Sequence, residues 1–547
     1  MFDFTKAQQE AIETLDRNVS VSAGAGSGKT RVLVERFVNI LRQSLRQGGK
    51  QVSAADILAI TFTRKAAGEM KERVRRRLAE LEQEDALHAS FWQQQLELLE
   101  QARINTIHGF CNSLLKENPV EAGLDPAFQV AEEVEMDEFL LRTVQQFVKQ
   151  GLRRGDSDIL RLADEYTAAD VVKQLLLAIP KMDAILNFGD LLQPYQAKMN
   201  EKNVLQVQLQ ELLLELAEDK MKVKASAHRQ KLELLREHLP ELLKAAADSS
   251  KPENMTLLDS YVGTLAATSS DKAVVKAAKE ILQQLHLLAA DAAALKLIPC
   301  WQQALVNCSA YLREQQELNN MLGFDDLESR ALELLKNNRQ VCSKNSSRYQ
   351  NIMVDEFQDT NERQRELVYL LCGGDKDRLL GHKLFVVGDA KQSIYRFRGA
   401  DVSVFARVRR DIEAAGGSNI VLDDNFRTVD KVLDLCNLAF AALLGEDRQQ
   451  DVYFEALNAN RATDILPEML VIAYDKESKA IRREAEAAVI AERILQLHTE
   501  EQISYKDMVI LLGALTSAKS FASALQQAGI PYTIVDGKGF YERREII

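Results

Sequence analysis

Residues 19–30, with the sequence VSVSAGAGSGKT, restrict the possible folds of this chain more than any other stretch. Alternating apolar residues predict a short strand, small residues predict a turn, and Gly28-Lys29-Thr30 opens a segment of helical character. In such a strand–turn–helix unit, backbone N–H groups converge on an anion at the positive end of the helix dipole. The stretch therefore predicts a phosphate cradle in an α/β protein.

The residues of this loop have separate predicted roles. Lys29 would reach the β- and γ-phosphates of a nucleotide, and the Thr30 hydroxyl would hold Mg²⁺. The predicted nucleotide-binding residues here are Ala23, Gly24, Ala25, Gly26, Ser27, Gly28, Lys29, Thr30 and Arg31. Ala23 stands where the strict pattern has glycine. The alternative, a glycine-rich turn with a surface lysine, is disfavoured by the strand before it and the helix after it.

Length and composition set the wider limits. The chain has 547 residues, enough for about three or four domains at roughly 150 residues each. Its net charge of −12 argues against nonspecific attraction of nucleic acid by the whole surface, although a local basic groove stays compatible with that charge. The cysteines and histidines show no metal-ligand spacing. With no leader after Met1 and no apolar run of transmembrane length, we expect a soluble cytoplasmic protein without a membrane partner.

Two adjacent carboxylates, Asp355 and Glu356, follow an apolar run that predicts a strand. Successive strand residues point to opposite sides, so the two side chains can divide the work of phosphoryl transfer. Asp355 would hold Mg²⁺, directly or through water, and Glu356 would polarise the attacking water. Carboxylates in a loop are commonly just solvated, but the preceding strand and the phosphate loop favour the catalytic interpretation.

A further predicted strand with polar residues at its end, residues 383–392, leads into an arginine–aromatic cluster. Gln392 can hydrogen-bond a γ-phosphate or the attacking water. The cluster contains Tyr395, Arg396, Phe397 and Arg398. Rings stack on bases without reading sequence, and guanidinium groups meet phosphates, so the cluster suits single-stranded nucleic acid. Without Gly388-Asp389 and Gln392 before it, an ordinary surface cluster would be the better interpretation.

Residues 56–63 are predicted as a buried strand that ends in hydroxyls and an aromatic ring and leads into a strongly basic helix. Ligands of α/β proteins collect beyond the carboxyl ends of strands, so Phe62, Thr63 and Arg64 should face a site, where Phe62 could stack on a base. Taken alone, each feature is better interpreted as a core phenylalanine and as a solvated basic helix.

Two weaker features lie at other predicted element ends. Gln8 follows Thr5 at the capping-box position of a helix start, and its amide could instead read a base edge; the spacing fits both equally. Residues 104–111 are predicted as a short strand ending in polar groups, where Thr106 and His108 could contact phosphates. His108 could equally be a turn residue.

Residues 420–428 open a second region, in which Arg427 could be an arginine finger and Phe426 an adenine platform, or both could belong to an ordinary strand-to-helix turn. Alternating strands and helices are predicted after it, which indicates a second α/β unit. They lie at residues 468–474, 480–497, 507–512, 517–528 and 532–535. Between the two chemical regions, residues 112–329 show helical periodicity with little strand signal and predict a helical insertion.

Five stretches occur in the order typical of one known family: VSAGAGSGKT, TFTRKAA, TIHGFC, VDEFQDT and VGDAKQSIYRFRGAD. The chain resembles superfamily 1 DNA helicases of the UvrD/Rep type over nearly its whole length outside the insertion. DEFQDTN, TIHGFC and the long insertion are most similar to the AddA/RecB branch, the helicase–nuclease subunits of recombinational repair.

The resemblance implies a RecA-like P-loop NTPase motor domain with a large all-helical insertion and a partial second RecA-like domain. The implied boundaries are 1–111 and 330–423 for the first motor domain, 112–329 for the insertion, and 424–547 for the incomplete second domain. The implied activity is an ATP- and Mg²⁺-dependent helicase or translocase on single-stranded DNA, moving 3′ to 5′. Duplex ends and a second, AddB/RecC-like subunit are implied partners.

The resemblance also assigns roles to residues. Gln8 and Phe426 would recognise and stack on adenine, and Arg427 would contact the γ-phosphate. Catalysis would use Glu356, Asp355, Gln392 and Arg427, with Thr30 and Asp355 on the metal. The implied DNA contacts are Phe62, Thr63, Arg64, Thr106, His108, Tyr395, Phe397 and Arg398.

Some positions depart from the family pattern. Phe426 replaces a usual tyrosine, Phe397 a frequent tryptophan, and Gly513 a frequent arginine. The family's last motifs would lie after Ile547, so we expect a fragment that binds nucleotide but turns it over poorly. A nucleotide-gated DNA-binding scaffold is the main alternative. A P-loop kinase or transporter ATPase is disfavoured by the aromatic–arginine cluster.

Overall fold

The computed structural model describes residues 4–47, 52–182, 185, 189–218, 226–249, 251–265, 272–445, 450–473 and 479–535. The chain divides into two compact units. The first unit contains Met1–Arg427 and Ala441–Asn458, and the second contains Thr428–Phe440 and Ala459–Ile547.

The helices are numbered here in chain order. In the first unit's N-terminal part they are α1 (Lys6–Glu13), α2 (Lys29–Gln47), α3 (Arg64–Glu84), α4 (Ala89–Leu99) and α5 (Ile107–Glu117). Next come α6 (Glu133–Arg154), α7 (Ser157–Glu165), α8 (Ala168–Ala178), α9 (Gly189–Ala217), α10 (Ser226–Glu237), α11 (Leu239–Ala247), α12 (Pro252–Leu258) and α13 (Lys272–Leu318). The remaining helices are α14 (Phe324–Asn337), α15 (Arg339–Arg348), α16 (Glu362–Leu371), α17 (Val402–Ala414), α18 (Asp430–Leu444), α19 (Lys479–Thr499) and α20 (Ala518–Gln527).

A parallel sheet forms the centre of the first unit, with the strand order β3-β2-β6-β7-β1-β8. Its strands are β1 (Val19–Ala23), β2 (Ile57–Thr61), β3 (Arg103–Thr106), β6 (Asn351–Val354), β7 (Leu384–Gly388) and β8 (Ser418–Leu422). The shorter strands are β4 (Gln129–Val130), β5 (Met321–Leu322), β9 (Asp424–Asn425) and β10 (Asn458–Ala459). Since the six long strands run parallel, their carboxyl ends lie along one edge, where ligands of such sheets bind.

Helices cover both faces of this sheet. On β7, Leu384 and Val386 enter one core, while Phe385 and Val387 enter the other. Helices α1 to α4 contribute to the second core, and α5, α14, α16 and α17 to the first. Burial on both faces explains why the strands appear in the sequence as almost continuous apolar runs.

The predicted helical insertion is mainly helical in its described residues, and it has two cores of its own. A short parallel pair, β4 with β5, joins its first and last parts. The implied boundaries at 111/112 and 329/330 fall inside α5 and α14, whose residues pack as whole helices in a core of the parallel sheet. The insertion's independent packing thus begins after α5 and ends before α14.

Helix α13 passes through both cores of the insertion. By length and composition alone, Ala273–Leu318 could cross a membrane, with a mean hydropathy of 1.3 in its most apolar window. This helix differs from the expectation that no apolar run reaches transmembrane length. Leu282 and Leu285 enter one core and Leu305 and Leu312 the other, while 24% of the most apolar window is buried.

The second unit corrects part of the sequence prediction. Both predicted helices form, as α19 and α20, but the described residues of the predicted strands 468–474, 507–512 and 532–535 belong to no β-ladder. Residue 474 lies outside the described residues. Apolar side chains in these segments, including Val471 and Leu511, are exposed. The error is physical in origin: an apolar alternation favours a strand only where a partner strand supplies the hydrogen bonds.

Candidate active site and nucleic-acid interface

The phosphate loop lies between β1 and α2, as predicted. Gly26 and Gly28 have φ values of +79° and +83°, in the left-handed region that favours glycine. Ser27 is buried, and its hydroxyl donates to the Gly24 carbonyl at 2.7 Å, which closes the turn. The loop therefore has the backbone shape needed to direct N–H groups at an anion.

Gln8 connects the first helix to this loop. Thr5 and Gln8 form the predicted capping box: Gln8 N–H donates to Thr5 Oγ1 at 3.3 Å, and Thr5 N–H to Gln8 Oε1 at 3.1 Å. Gln8 Nε2 also donates to the Ser27 carbonyl at 2.9 Å. The structure confirms the capping role. An amide has two N–H groups and two acceptor lone pairs, so contact with a base would not require these bonds to break.

Lys29 and Glu356 form an ion pair between the loop and the end of β6. The Lys29 ammonium lies 3.0 Å from Glu356 Oε1 and 3.1 Å from Oε2. Glu356 has a φ of +51°, a left-handed conformation uncommon for a glutamate and often found at functional sites. The sharp turn at Glu356 and the pairing of its carboxylate bring the predicted base to the residue predicted to bind the phosphates.

Asp355 is held beside this pair, and its Oδ1 accepts the Glu356 N–H at 3.0 Å. Burial and the Glu356 charge raise the pKa of Asp355 to about 6, against the opposing charge of Lys29. A carboxylate destabilised in this way gains from a nearby cation. Among the described residues, no three His, Cys, Asp or Glu side chains form a metal site by themselves. Asp355 and the Thr30 hydroxyl fit Mg²⁺, which takes oxygen ligands and keeps waters and phosphate oxygens.

Hydrogen bonds lead from Glu356 to Gln392. Gln358 Nε2 donates to Glu356 Oε2 at 2.8 Å, and Gln358 Oε1 accepts the Asp389 N–H at 2.9 Å. Gln392 Nε2 then donates to Asp389 Oδ2 at 2.7 Å. Gln358 is only 1% exposed, so its hydrogen bonds are shielded from water. Hydrogen bonds are electrostatically stronger in such an interior than in water. We call the path Glu356–Gln358–Asp389–Gln392 the relay.

Phe426 and Arg427 lie next to the phosphate loop, as their predicted roles require. The Phe426 N–H donates to the Gly26 carbonyl at 2.9 Å. Asn425 holds both sides, because its Nδ2 donates to the Ala25 carbonyl at 2.6 Å and its Oδ1 accepts the Arg427 N–H at 2.9 Å. A Cβ atom on Gly26 would lie 2.8 Å from the Arg427 Cβ, so this close approach requires glycine.

The predicted base-stacking rings form one group. Phe62 and Tyr395 have ring centroids 4.6 Å apart, and Tyr395 and Phe397 are 6.0 Å apart. The Arg398 guanidinium lies 5.8 Å from the centroids of both Tyr395 and Phe397, within cation–π range. Phe397 is 79% exposed, so the rings are not part of the hydrophobic core. Phe62, Tyr395, Phe397 and Arg398 are called the aromatic platform below.

Two threonines start helices at the neighbouring strands β2 and β3. Thr63 Oγ1 accepts the Ala66 N–H at 3.0 Å, and Thr106 Oγ1 accepts the Gly109 N–H at 3.1 Å. The predicted strand 104–111 is therefore wrong beyond Thr106, because this cap starts α5 at Ile107. His108 lies in the first turn of α5, and Arg64 opens α3. The first N–H groups of a helix suit phosphates.

Comparison with known proteins decides the family. The profile of the UvrD/REP helicase N-terminal domain matches residues 4–413, and that of the UvrD-like helicase C-terminal domain matches residues 420–547. The chain belongs to the UvrD/REP helicase family. The α/β fold with its parallel sheet is accordingly RecA-like, and both the predicted fold class and the family resemblance are confirmed.

The similar curated proteins are ATP-dependent helicase/nuclease subunits A. The protein of Levilactobacillus brevis is 27% identical over 100% of this chain and 49% of its own length. That of Staphylococcus aureus strain NCTC 8325 is 26% identical over 99% of this chain and 49% of its own. The chain thus spans about half the length of these relatives. They are of the AddA type, in agreement with the branch that the motifs indicated.

Several residues of the site in this UvrD/REP family member have no role predicted from the sequence. Gln358 and Asn425 received no role, although each is a buried amide within a stretch already singled out. Leu457 was also missed: a Cβ on Gly24 would lie 2.7 Å from its Cδ2 atom, so Leu457 packs on the phosphate loop. Amide residues within the singled-out stretches were a usable signal for the first two residues. Leu457 has no such signal, because it is far from the phosphate loop in the sequence and meets it only in the folded chain.

Proposed function

We propose that this chain is the motor portion of an ATP-driven DNA helicase or translocase that acts on single-stranded DNA. The observation that carries the proposal is the relay, which joins the predicted base Glu356 to the predicted γ-phosphate sensor Gln392. Tyr395 of the aromatic platform follows Gln392 by only three residues. A change at the γ-phosphate can therefore alter how the rings hold unpaired bases, through one short connector.

At the nucleotide, the residues have the following proposed roles. Lys29 leaves Glu356 for the β- and γ-phosphates, because phosphate oxygens carry more charge than the carboxylate. Glu356 then accepts a proton from the attacking water, which Gln392 helps to orient. Arg427 stabilises charge on the transferred phosphoryl group, while Gln8 and Phe426 hold the adenine. Thr30 and Asp355 would hold Mg²⁺, which neutralises phosphate charge when bound.

At the nucleic acid, the aromatic platform would stack on unpaired bases and so grip a strand regardless of its sequence. Thr63, Arg64, Thr106 and His108 would contact phosphates at the starts of α3 and α5. The proposed direction is 3′ to 5′. Similarity to helicase/nuclease subunits A also supports a wider proposal: a cytoplasmic double-strand-break repair enzyme, acting at duplex ends with an AddB- or RecC-like partner and without a membrane.

The test is the rate of ATP hydrolysis by the 547-residue chain with and without a single-stranded oligonucleotide. A motor hydrolyses ATP faster when DNA is added, and Glu356→Gln lowers this rate about 100-fold or more, because the attacking water loses its base. Glu362→Gln, which alters an exposed ion-paired carboxylate on α16, is the matched control and keeps the rate. Turnover that DNA leaves unchanged would instead indicate a P-loop kinase or transporter ATPase.

A second candidate is a nucleotide-gated DNA-binding scaffold. It is favoured by the second unit, where the described parts of the predicted strands form no ladder. The scaffold would bind nucleotide and DNA but show little hydrolysis for Glu356→Gln to remove. The expectation of poor turnover by this chain belongs to this candidate, and the same assay measures it.

A further inference from the structure

A buried carboxylate outside the nucleotide site receives donors from three residues. Glu328 on α14 is 3% exposed. His108 Nε2 lies 3.0 Å from Glu328 Oε1, and Asn361 Nδ2 donates to Oε2 at 3.1 Å. Gln364 Nε2 also donates to Oε1. The donors come from α5 and from the start of α16. Glu328 on α14 therefore links these two helices through its carboxylate.

This arrangement needs a reason beyond packing. Removing a carboxylate from water costs several kcal/mol, and an apolar residue of similar volume usually packs as well or better. Burial opposes ionisation of Glu328, but the hydrogen bonds and charge from His108, with the amides of Gln364 and Asn361, hold its pKa below the ordinary value. Glu328 is therefore a buried anion held by its partners.

The two ends of the link lie at functionally different places. His108 is in the first turn of α5, two residues after Thr106. Its half-buried ring packs edge-on against Phe324, with the ring centroids 5.3 Å apart. Asn361 is the N-cap of α16, where its Oδ1 accepts the Gln364 N–H at 2.9 Å. It follows Glu356 by five residues. Glu328 thus joins a proposed phosphate contact to the segment that carries the proposed catalytic base.

We propose that Glu328 is a positioning residue: it fixes the His108 imidazole for a DNA phosphate and ties it to the start of α16. A carboxylate only accepts hydrogen bonds, so the Glu328 contact requires the proton of His108 to be on Nε2. Nδ1 is then the ring nitrogen left for a phosphate, to which it donates when the ring is protonated. The inference rests on the proposed function, since it needs single-stranded DNA to bind at α5.

The test measures binding of a fluorescent single-stranded oligonucleotide by anisotropy at several salt concentrations. Glu328→Gln and His108→Ala should each raise the dissociation constant about tenfold, as expected for one charge-assisted hydrogen bond. Each should also reduce the slope of log affinity against log salt by about 0.7, the value for one phosphate on a single strand. The double variant should again be about tenfold weaker, because both changes remove the same contact.

Glu366→Gln is the matched control. Glu366 is a shielded carboxylate on α16 that pairs with Lys336 of α14 at 2.8 Å, so it joins the same two helices without touching His108. Its variant should keep the affinity and the salt slope. A hundredfold loss in the double variant, or equal effects of Glu328→Gln and Glu366→Gln, would overturn the inference. Absence of DNA binding by the unaltered chain would instead overturn the proposed function.

A measurement on the unaltered chain gives a second check that does not depend on the folding of Glu328→Gln. With ¹⁵N-labelled histidine, the ring shifts of His108 should report a proton on Nε2, and His108→Ala assigns the signal. A neutral ring with its proton on Nδ1 would contradict the Glu328 contact.

Discussion

The two units of the chain contain similar sequence patterns, but among the described residues the predicted strands form a sheet only in the first unit. In the first unit, apolar runs followed by polar residues become β1, β2, β6 and β7, with side chains buried on both faces. In the second unit, the runs at 468–473 and 507–512 belong to no ladder; Val471 and Leu511 are exposed, whereas Ile510 packs against a small helical core. A strand thus depends on its partner strands, whereas α19 and α20 form without a sheet and pack against each other.

The largest expected difference is in stability. Val386→Asp places an unpaired charge in the core beside β7, where Val386 is 0% exposed, and should lower the free energy of unfolding by about 4 kcal/mol or more. Val509→Asp makes the same change at a side chain that is 78% exposed and should alter the free energy of unfolding by only about 0.5 kcal/mol. Urea unfolding followed by circular dichroism measures both.

The two substitutions are controls for each other, because the chemical change is identical. A loss at Val509 as large as that at Val386 would mean that residues 507–512 pack in a sheet core, and the contrast between the units would fail.

The same contrast explains which parts of the site the sequence predicted. The capping box at Thr5, the phosphate loop and the carboxylates at the end of β6 depend on residues close in sequence, and all three are found where predicted. Gln358 and Glu328 depend on partners from other elements: Asp389 is 31 residues away from Gln358, and His108 is on another helix from Glu328. A single sequence carries no direct signal for such pairings.

The next largest expected effect concerns nucleotide affinity. Lys29→Ala should weaken binding of a fluorescent ATP analogue about 30-fold, because it removes charge-assisted hydrogen bonds of about 2 kcal/mol. Arg493→Ala removes a cation of the second unit that pairs with Glu468 and should leave the affinity unchanged. Fluorescence titration checks both variants. Equal losses would show that the predicted cradle has no special part in binding nucleotide.

A smaller effect is expected at the aromatic platform. Tyr395→Ala should raise the dissociation constant for single-stranded DNA about tenfold, since loss of one base stack costs about 1–3 kcal/mol. Tyr395→Phe keeps the ring and should restore most of the affinity. Tyr166→Ala removes an exposed ring of the helical insertion, whose centroid lies 5.7 Å from that of Trp301 in a tilted arrangement, and should leave DNA affinity unchanged. Anisotropy titrations would contradict the platform if Tyr166→Ala and Tyr395→Ala weakened binding alike.

The smallest expected effect separates the units by their electrostatics. Burial and the Glu356 charge raise the pKa of Asp359 to about 6, whereas the hydrogen bond from Arg493 lowers the pKa of Glu468 in the second unit. Because an unfolded aspartate has a pKa of about 3.9, the native chain binds more protons than the unfolded chain between the two values. The contribution of Asp359 to stability therefore falls as pH rises from about 4 to 6 and stays low above the folded pKa.

Asp359→Asn removes this titration. The variant should be more stable than the parent by about 1–3 kcal/mol at pH 7.5, where the upper value is the full effect of the pKa difference, and the gain should vanish towards pH 4. Glu468→Gln should show no such gain at high pH, because its carboxylate is stabilised by its partner rather than crowded by a like charge. Unfolding curves across this pH range measure both. If the free energies of unfolding of Asp359→Asn and the parent differed by the same amount at every pH, the substitution would act through packing. The repulsion between Asp359 and Glu356 would then not be the cause.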